Sequence, residues 1–342
     1  MKKEVITQMR KTKAIALAAL VLLALGAGLM PAIDAAIPTG LAGSLTIAGS
    51  TTLLPINQEC ARLLMDANRD LRISVSGGGS GHGVKAVGAG EIDIGAASRD
   101  IKPAELVQYP DLKPVAIGTD SVAVVVHPSN AVSDLTLEQV ARIFSGQITN
   151  WKDVGGADAE IRVITREEGS GTRETFETYV MAPLALDIAA RASVKSSNGE
   201  VRATLKSDAR SIGYLSLGYV DASMKALGIG GIAATVENVV AGDYPIQRSL
   251  YLITKGEPDV LAQAFLEFVL SSEGQAVVED MGYIKVRGAA TPTPTPAPST
   301  TPFAPATAAP TPTPEAPGFE TIAAVAGLLA VTYLAHRRMK RA

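Results

Sequence analysis

Short apolar stretches alternate with polar, glycine-rich turns in the first part of the chain after residue 44. Residues 45–48, 71–75 and 92–97 have the length and the apolar content of β-strands, and a polar turn follows each of them. Apolar residues at helical spacing follow the first two turns. This alternation predicts an α/β lobe with a mainly parallel sheet. Ligands bind beyond the carboxyl ends of such strands, so we expect the three turns to gather at one edge.

Two longer apolar stretches rich in β-branched residues, 115–126 and 244–253, fit strands that pass from one lobe to another. Two crossings imply two lobes, the first of them built from discontinuous segments. We therefore expect lobe I to comprise residues 37–120 and 247–288, and lobe II to comprise residues 121–246.

The N-terminal residues 1–36 have the pattern of a secretory signal peptide. Five basic residues precede the apolar run 14–30, and the small residues Ala35 and Ala36 follow it. The alternative is a retained membrane anchor, although the run is marginal in length for a membrane span. Either interpretation predicts that the body of the protein is exported.

The C-terminal part of the chain changes composition abruptly. Residues 289–317 are rich in Thr, Pro and Ala, which predicts an extended linker, and their threonines are candidates for O-linked sugars. Residues 318–342 contain a short apolar run followed by a basic end, which is typical of a membrane anchor with its basic side inside.

Charge and composition exclude several classes of function. The net charge is −3 and no basic run occurs outside the termini, so nucleic acid is not an expected partner. A single cysteine, Cys60, excludes an internal disulfide and a cysteine-based metal cluster. His82 and His127 are the only histidines of the body and are too few for a zinc site, and we expect no metal or other cofactor. Neither a phosphate-binding P-loop nor a nucleophile elbow is present, so the sequence gives little support to catalysis.

Anion binding is better supported, because hydroxyl and glycine residues recur at the predicted strand-to-helix turns. The loop at residues 165–176 adds Arg166 and Arg173 directly before a predicted helix. Hydroxyls, backbone N–H groups and a guanidinium can together hold a small oxyanion. Each turn taken alone is more typical of helix N-capping. The candidate donors are Ser50, Thr51, Thr52, Ser80, Gly81, Ser98, Arg166, Ser170, Gly171 and Thr172.

Five segments together resemble the extracytoplasmic phosphate-binding proteins of ABC-type phosphate importers. They are residues 48–52, 76–81, 94–99, 143–151 and 166–173. The resemblance implies an α/β fold of the periplasmic-binding-protein type II (Venus flytrap), with two crossing strands between two lobes that close on the anion. It also implies that residues 50–52 and Ser80 supply donors from lobe I. Arg166 would then be the charge partner, and residues 170–172 the donors from lobe II.

The chain departs from the family in the third turn. Some members have Ser-Asp there, and that Asp accepts the proton of hydrogen phosphate and so rejects sulfate. Here Arg99 follows Ser98, and Asp100 comes one place later. Arg99 and Asp120 complete the set of candidate binding residues. Asp100 or Asp120 is the candidate proton acceptor, and the sequence leaves the choice between them open.

The tail resembles an archaeal PGF-type C-terminal sorting signal, which implies cleavage near residues 317–319 and attachment to a membrane lipid. A plain C-terminal anchor is the alternative. Both predict a receptor that is tethered to the outer face of the cell membrane. The resemblance to phosphate-binding proteins implies that this receptor binds inorganic phosphate and hands it to a membrane ABC permease. We expect it to be a monomer. The remaining hypotheses are a binding protein for sulfate, molybdate or tungstate, a secreted phosphatase, and a structural cell-surface protein.

Overall fold

The computed structural model describes residues 37–286, and all elements below lie in that range. The strands are β1 (Gly43–Gly49), β2 (Leu71–Gly78), β3 (Ile94–Ala97), β4 (Leu112–Val126), β5 (Asp134–Leu135), β6 (Arg162–Arg166), β7 (Ser193–Lys195), β8 (Ser211–Ser216), β9 (Lys225–Ala226), β10 (Gly228–Ile229), β11 (Gln247–Lys255) and β12 (Ile284–Lys285). The α-helices are α1 (Leu54–Ala67), α2 (Ser80–Ala89), α3 (Pro103–Gln108), α4 (Leu137–Phe144), α5 (Gly171–Phe176), α6 (Asn198–Ser207), α7 (Val236–Ala241), α8 (Val260–Leu270) and α9 (Ser272–Asp280).

The strands of the first half form a mixed sheet in the order β2-β1-β3-β11-β4. β1 is parallel to both β2 and β3, as the strand-turn-helix alternation predicts. β11 joins the sheet antiparallel to β3 and β4. The three parallel strands therefore end at the same edge, where the polar turns begin.

The long strand β4 belongs to both halves of the molecule. Its residues 112–121 pair with β11, and its residues 122–126 pair with β8. β8 continues through β6 to β7, all parallel to one another. The segment that leads into β11 carries the chain back from the second half to the first. Tyr244 and Ile246 pack in the core of the second half, whereas Leu250 and Leu252 pack in the core of the first. The molecule is thus a two-lobed α/β protein with two crossing segments.

Each half has its own apolar core. In the second half Phe176 stacks on Tyr214 with ring centroids 4.1 Å apart, and Phe144 lies 4.5 Å from Phe176. Aromatic pairs of this kind contribute about 0.5–1.5 kcal/mol beyond the area they bury. The Tyr214 hydroxyl is paired with the Thr165 hydroxyl at 2.7 Å and accepts the N–H of Arg166 at 3.3 Å, so this core fixes the end of β6.

The predicted signal peptide (1–36), the linker (289–317) and the C-terminal anchor (318–342) lie outside the described residues. Within residues 37–286 no helix is both long enough and apolar enough to cross a membrane.

Candidate functional site

The predicted turns of the first half meet at the carboxyl ends of β1, β2 and β3. Ser50, Thr51 and Thr52 follow β1, Ser80 begins α2, and Ser98 follows β3; all are buried. The end of β1 lies close to β3 because Gly49, its last residue, has no side chain. Gly49 has φ +135°, and a Cβ atom there would lie 2.3 Å from the carbonyl oxygen of Ala96.

The serines of these turns are hydrogen-bonded to one another. Ser50 Oγ donates to Ser98 Oγ at 2.9 Å and accepts the N–H of Thr52 at 3.2 Å. The N–H of Ser98 donates to Ser80 Oγ at 3.1 Å. These bonds fix the hydroxyl oxygens in place before any ligand arrives, which lowers the entropic cost of binding.

The second half contributes the end of β6 and the start of α5. Arg166 is the last residue of β6, and Ser170 caps α5 by accepting the N–H of Arg173 at 3.3 Å. Gly171 and Thr172 form the first turn of the helix and are buried. The loop therefore presents hydroxyls and main-chain N–H groups on the side where the turns of the first half lie.

The two halves touch at these turns. Thr52 Oγ1 lies 3.3 Å from Thr172 Oγ1, and the N–H of Gly81 donates to the carbonyl oxygen of Gly169 at 2.9 Å. Arg166 Nη2 donates to Thr51 Oγ1 at 3.3 Å. The structure thus brings ten of the predicted residues into one cluster, the hydroxyl cluster: Ser50, Thr51, Thr52, Ser80, Gly81, Ser98, Arg166, Ser170, Gly171 and Thr172.

Arg166 carries the positive charge of the hydroxyl cluster and is only 1% exposed. Its Nε and Nη2 each lie 2.8 Å from a carboxylate oxygen of Glu167, and Nε also donates to the carbonyl oxygen of Lys195. Its Nη1 is buried and has no hydrogen-bond partner among residues 37–286. A buried guanidinium nitrogen without a partner costs free energy, and an oxyanion is the ligand that would satisfy it.

The side chain of Arg99 is paired with two carboxylates, Glu105 and Glu174. Its two terminal nitrogens donate to Glu105 at 2.7 and 2.8 Å, and its Nε lies 3.0 Å from Glu174 of the second half. The two carboxylates offset its charge, while its Nε is buried without a well-aligned hydrogen-bond partner among residues 37–286, so Arg99 stays a predicted binding residue. A groove of about 580 Å³ is lined by Arg99, Lys102, Glu174 and Arg248, and by none of the cluster hydroxyls.

Asp120 is buried and is linked to the hydroxyl cluster through Arg248. Its Oδ2 accepts two N–H groups of Arg248 at 2.7 and 2.9 Å, and its Oδ1 accepts the hydroxyl of Ser216 at 3.0 Å. Burial raises the pKa of Asp120, and Arg248 acts in the opposite direction. Oδ1 accepts a single hydrogen bond and so keeps one lone pair, and Asp120 stays a candidate acceptor of a ligand proton. The other candidate, Asp100, accepts the hydroxyl of Tyr251 at an exposed position.

Five residues outside the predicted set join the cluster or support it: Asn198, Ser216, Tyr219, Arg248 and Tyr283. The sequence signals were present for Asn198, which begins a helix after two serines, and for Arg248, a single arginine in an apolar crossing strand.

The tyrosines hold the main chain of the first turn. Tyr219 donates its hydroxyl to the carbonyl oxygen of Thr51 at 2.6 Å, and Tyr283 donates to that of Thr52 at 2.8 Å. Burial raises the pKa of Tyr219 to about 12 and that of Tyr283 further, so both phenols stay protonated donors. Both tyrosines therefore help to fix Thr51 and Thr52.

The fold is that of a two-lobed binding protein, and the hydroxyl cluster lies between its halves. A family model described as PBP superfamily domain matches residues 34–273, and a PGF-CTERM motif matches residues 316–338. The phosphate-binding protein PstS of Bacillus subtilis is 36% identical over 248 residues, which is 71% of this chain and 81% of that protein.

Solved structures of phosphate-transport binding proteins are also similar to this chain. A Clostridium perfringens protein described as a phosphate ABC transporter substrate-binding protein, with bound phosphate, is 36% identical with a TM-score of 0.68. The match covers 72% of this chain and 100% of that one. An ABC-type phosphate transport receptor from Vibrio cholerae is 32% identical with a TM-score of 0.59, over 71% and 100% of the two chains. The chain belongs to the PBP superfamily and, within it, to the PstS family.

Proposed function

We propose that this chain is the extracytoplasmic substrate-binding component of an ABC phosphate transporter. It binds inorganic phosphate between its two lobes and releases it to a membrane permease, without chemistry of its own. The observation that carries the proposal is Arg166, a buried arginine whose Nη1 has no partner among residues 37–286 and which reaches Thr51 of the other half. The relatives named above support phosphate as the ligand.

Ten residues of the hydroxyl cluster form the proposed site. Lobe I (37–120 and 247–288) supplies the donors that follow β1, β2 and β3, and lobe II (121–246) supplies Arg166 and the start of α5. Hydrogen bonds to a charged group contribute about 1.5–3 kcal/mol each, so a few such donors suffice for tight binding. Two lobes that share one ligand also close on it, because neither half satisfies the anion alone.

Calorimetry on the full chain, purified in detergent, tests this function with phosphate, sulfate and molybdate as ligands. We expect phosphate to bind at micromolar concentration or below. Absence of phosphate binding with tight binding of molybdate or sulfate would reassign the protein to another oxyanion. Steady release of phosphate from a monoester would reassign it to the phosphatases.

The C-terminal part of the chain supports a proposal for the location. The PGF-CTERM match supports a protein of the cell surface, and we propose that the tail tethers a monomeric receptor to the outer face of the membrane. Intact-mass measurement of the protein extracted from native membranes distinguishes the two forms of tether. A mass lacking the residues after 317–319 and carrying a lipid indicates sorting and attachment, whereas the full-length mass indicates a plain anchor.

A further inference from the structure

The last described part of the chain, residues 281–286, lies at the crossing between the two halves, and we call it the C-terminal segment. It follows α9 and contains β12, which pairs antiparallel with β4 at Gly118 and Thr119. β4 passes into the second half just after these residues, and its residues 122–126 pair with β8. The C-terminal segment therefore runs beside a strand about which the two halves would open and close.

The C-terminal segment is anchored in the first half. Tyr283 packs in the apolar core of that half, and its hydroxyl donates to the carbonyl oxygen of Thr52 at 2.8 Å. The N–H of Val286 donates to Gln275 Oε1 at 2.9 Å, and Gln275 Nε2 donates to the carbonyl oxygen of Ile117 at 3.0 Å. Side-chain packing and main-chain hydrogen bonds thus fix the segment to the first half.

The same segment contacts the second half. Ser216 Oγ, at the end of β8, lies 3.3 Å from the hydroxyl of Tyr283. Ile284 is partly buried and packs against the apolar core of the second half. Gly218 fits closely against the segment, since a Cβ atom there would lie 2.6 Å from both the carbonyl oxygen of Met281 and Cζ of Tyr283. The segment therefore bridges the two halves, in addition to β4 and the segment that leads into β11.

These contacts depend on the relative position of the halves. Gly218 does not have a positive φ, so glycine is needed there for space and not for conformation. Ile284 belongs to a segment anchored in one half and buries its side chain against the other. Rotation of the second half about β4 would separate these surfaces and expose apolar area to water, which costs free energy. The contacts therefore stabilise the arrangement seen in this structure relative to a more open one.

We propose that the C-terminal segment acts as a strap, which favours the closed form of the two halves and slows release of the ligand. It does so through Ile284 and through the close fit of Gly218, and neither residue belongs to the proposed anion site. This inference rests on the proposed function, in which the lobes close on phosphate and open to release it. Weakening the contacts of the segment with the second half should shift the population toward the open form.

Two single substitutions weaken the contact from opposite sides. Ile284→Ala removes most of the apolar side chain from the C-terminal segment. Gly218→Ala adds a methyl group that does not fit against Met281 in the arrangement seen here. Both variants should have a larger open population without ligand and should release phosphate several-fold faster than the wild type. The two changes are made in different halves, so the test survives if one variant fails to fold.

Pulsed electron paramagnetic resonance on the full chain in detergent measures the opening directly. Nitroxide labels at Val107→Cys and Tyr179→Cys place one exposed probe on each half. Cys60 is buried, and burial raises the pKa of its thiol to about 12, so it should not take a label. Without phosphate we expect a longer mean distance in the two variants than in the wild type. At saturating phosphate the distance should be the same in all three, and stopped-flow kinetics measure the release.

Leu63→Ala and Gly199→Ala are the matched controls. Leu63→Ala removes as many carbon atoms as Ile284→Ala, from a partly buried side chain that packs against the core of the first half. Gly199→Ala adds a methyl group where the nearest atom is Ser197 Oγ at 3.7 Å. A purely structural role would lower the thermal stability of the Ile284 and Leu63 variants alike, with distances and release rates unchanged.

The outcomes separate this inference from the proposed function. Unchanged distances and release rates in the folded variants, with phosphate bound by the wild type, would overturn the inference and leave the function standing. The same change in the control variants would also overturn it. Absence of phosphate binding by the wild type in calorimetry would contradict the function. The ligand-free distances would then still decide whether the C-terminal segment holds the halves together.

Discussion

Gly171 at the start of α5 faces Ser80 at the start of α2 with no room for a side chain between them. A Cβ atom on Gly171 would lie 2.4 Å from Ser80 Oγ and 2.7 Å from Ser98 Oγ. The backbone angles of Gly171 are ordinary helical ones, so glycine is needed here for space and not for conformation. The absence of a side chain at this position lets the two halves meet.

The Gly171→Ala variant should therefore bind phosphate more weakly while keeping its fold. Overpacking of a tight contact costs about 1–3 kcal/mol, which corresponds to about 5- to 150-fold in affinity. The cost falls on the closed form, because in an open form the two serines move away. Calorimetry measures the affinity, and thermal unfolding without ligand measures the fold.

Gly199→Ala is the matched control, since it places the same methyl group near the start of α6. A Cβ there meets only Ser197 Oγ at an ordinary distance of 3.7 Å. Equal affinity of the Gly171 and Gly199 variants would mean that the halves do not close as tightly during binding as they do in this structure.

Arg166→Lys should abolish most of the affinity although it keeps the charge. A lysine offers a compact ammonium group and cannot satisfy Glu167, Thr51 and an oxyanion with one planar fork. Loss of one or more hydrogen bonds to a charged group costs about 1.5–3 kcal/mol, or about 10- to 150-fold in the dissociation constant. The measurement is calorimetry with phosphate on the folded variant.

Arg162→Lys, on the same strand, is the control for that substitution. Arg162 is exposed and pairs with Asp208, so its replacement should leave affinity within about twofold. A variant of Arg166 that binds as tightly as the control would remove Arg166 from the site.

Glu174→Gln should loosen the closed form. Glu174 lies in α5 and its carboxylate is 3.0 Å from Arg99 Nε and 2.8 Å from Lys102 Nζ, both in the first half. The pair is partly exposed, so we expect a loss of about 1 kcal/mol, or about fivefold in affinity, through faster phosphate release. Stopped-flow release kinetics at low and high salt check this, because the effect should shrink as salt screens the pair.

Glu138→Gln breaks an ion pair within α4 that does not join the two halves. Its release rate should equal that of the wild type. Unchanged release in the Glu174 variant would show that opening does not require this ion pair to break.

The repeating turns were sufficient to predict the fold class and that these turns would come together. Apolar stretches and the glycines around them are local signals, so the strands β1 to β3, the crossing segments and the helix Val260–Leu270 follow from the sequence. The helix Ser272–Asp280 was not predicted, although Ser271 caps it and the polar residues 271–275 separate it from α8.

The partners of individual side chains could not be predicted in this way. Asp120 and Arg248 are 128 positions apart and become neighbours only through the register of β4 with β11. Arg99 and Glu174 come from different halves, so their contact depends on how the halves pack together. The residue types at the turns supply the candidate donors, whereas the groups that orient them depend on strand register and on the contact between the halves.

The ion pair between Arg99 and Glu105 predicts how stability depends on pH. Burial acts to raise the pKa of Glu105, but hydrogen bonds from Arg99 and from the N–H of Lys102 outweigh it, and the pKa is lowered. The folded protein therefore binds fewer protons at this carboxyl than the unfolded chain does. Its contribution is complete above the unfolded pKa of 4.5 and is lost as the pH falls through the lower folded value.

Glu105→Gln should consequently lower the stability by about 1 kcal/mol at neutral pH and by progressively less as the solution is acidified. Chemical unfolding of the ligand-free chain across this range measures the difference from the wild type. The exposed Glu91→Gln is the control and should leave the curve unchanged. A difference that stays constant below the unfolded pKa would mean that Glu105 contributes by packing and not by its charge.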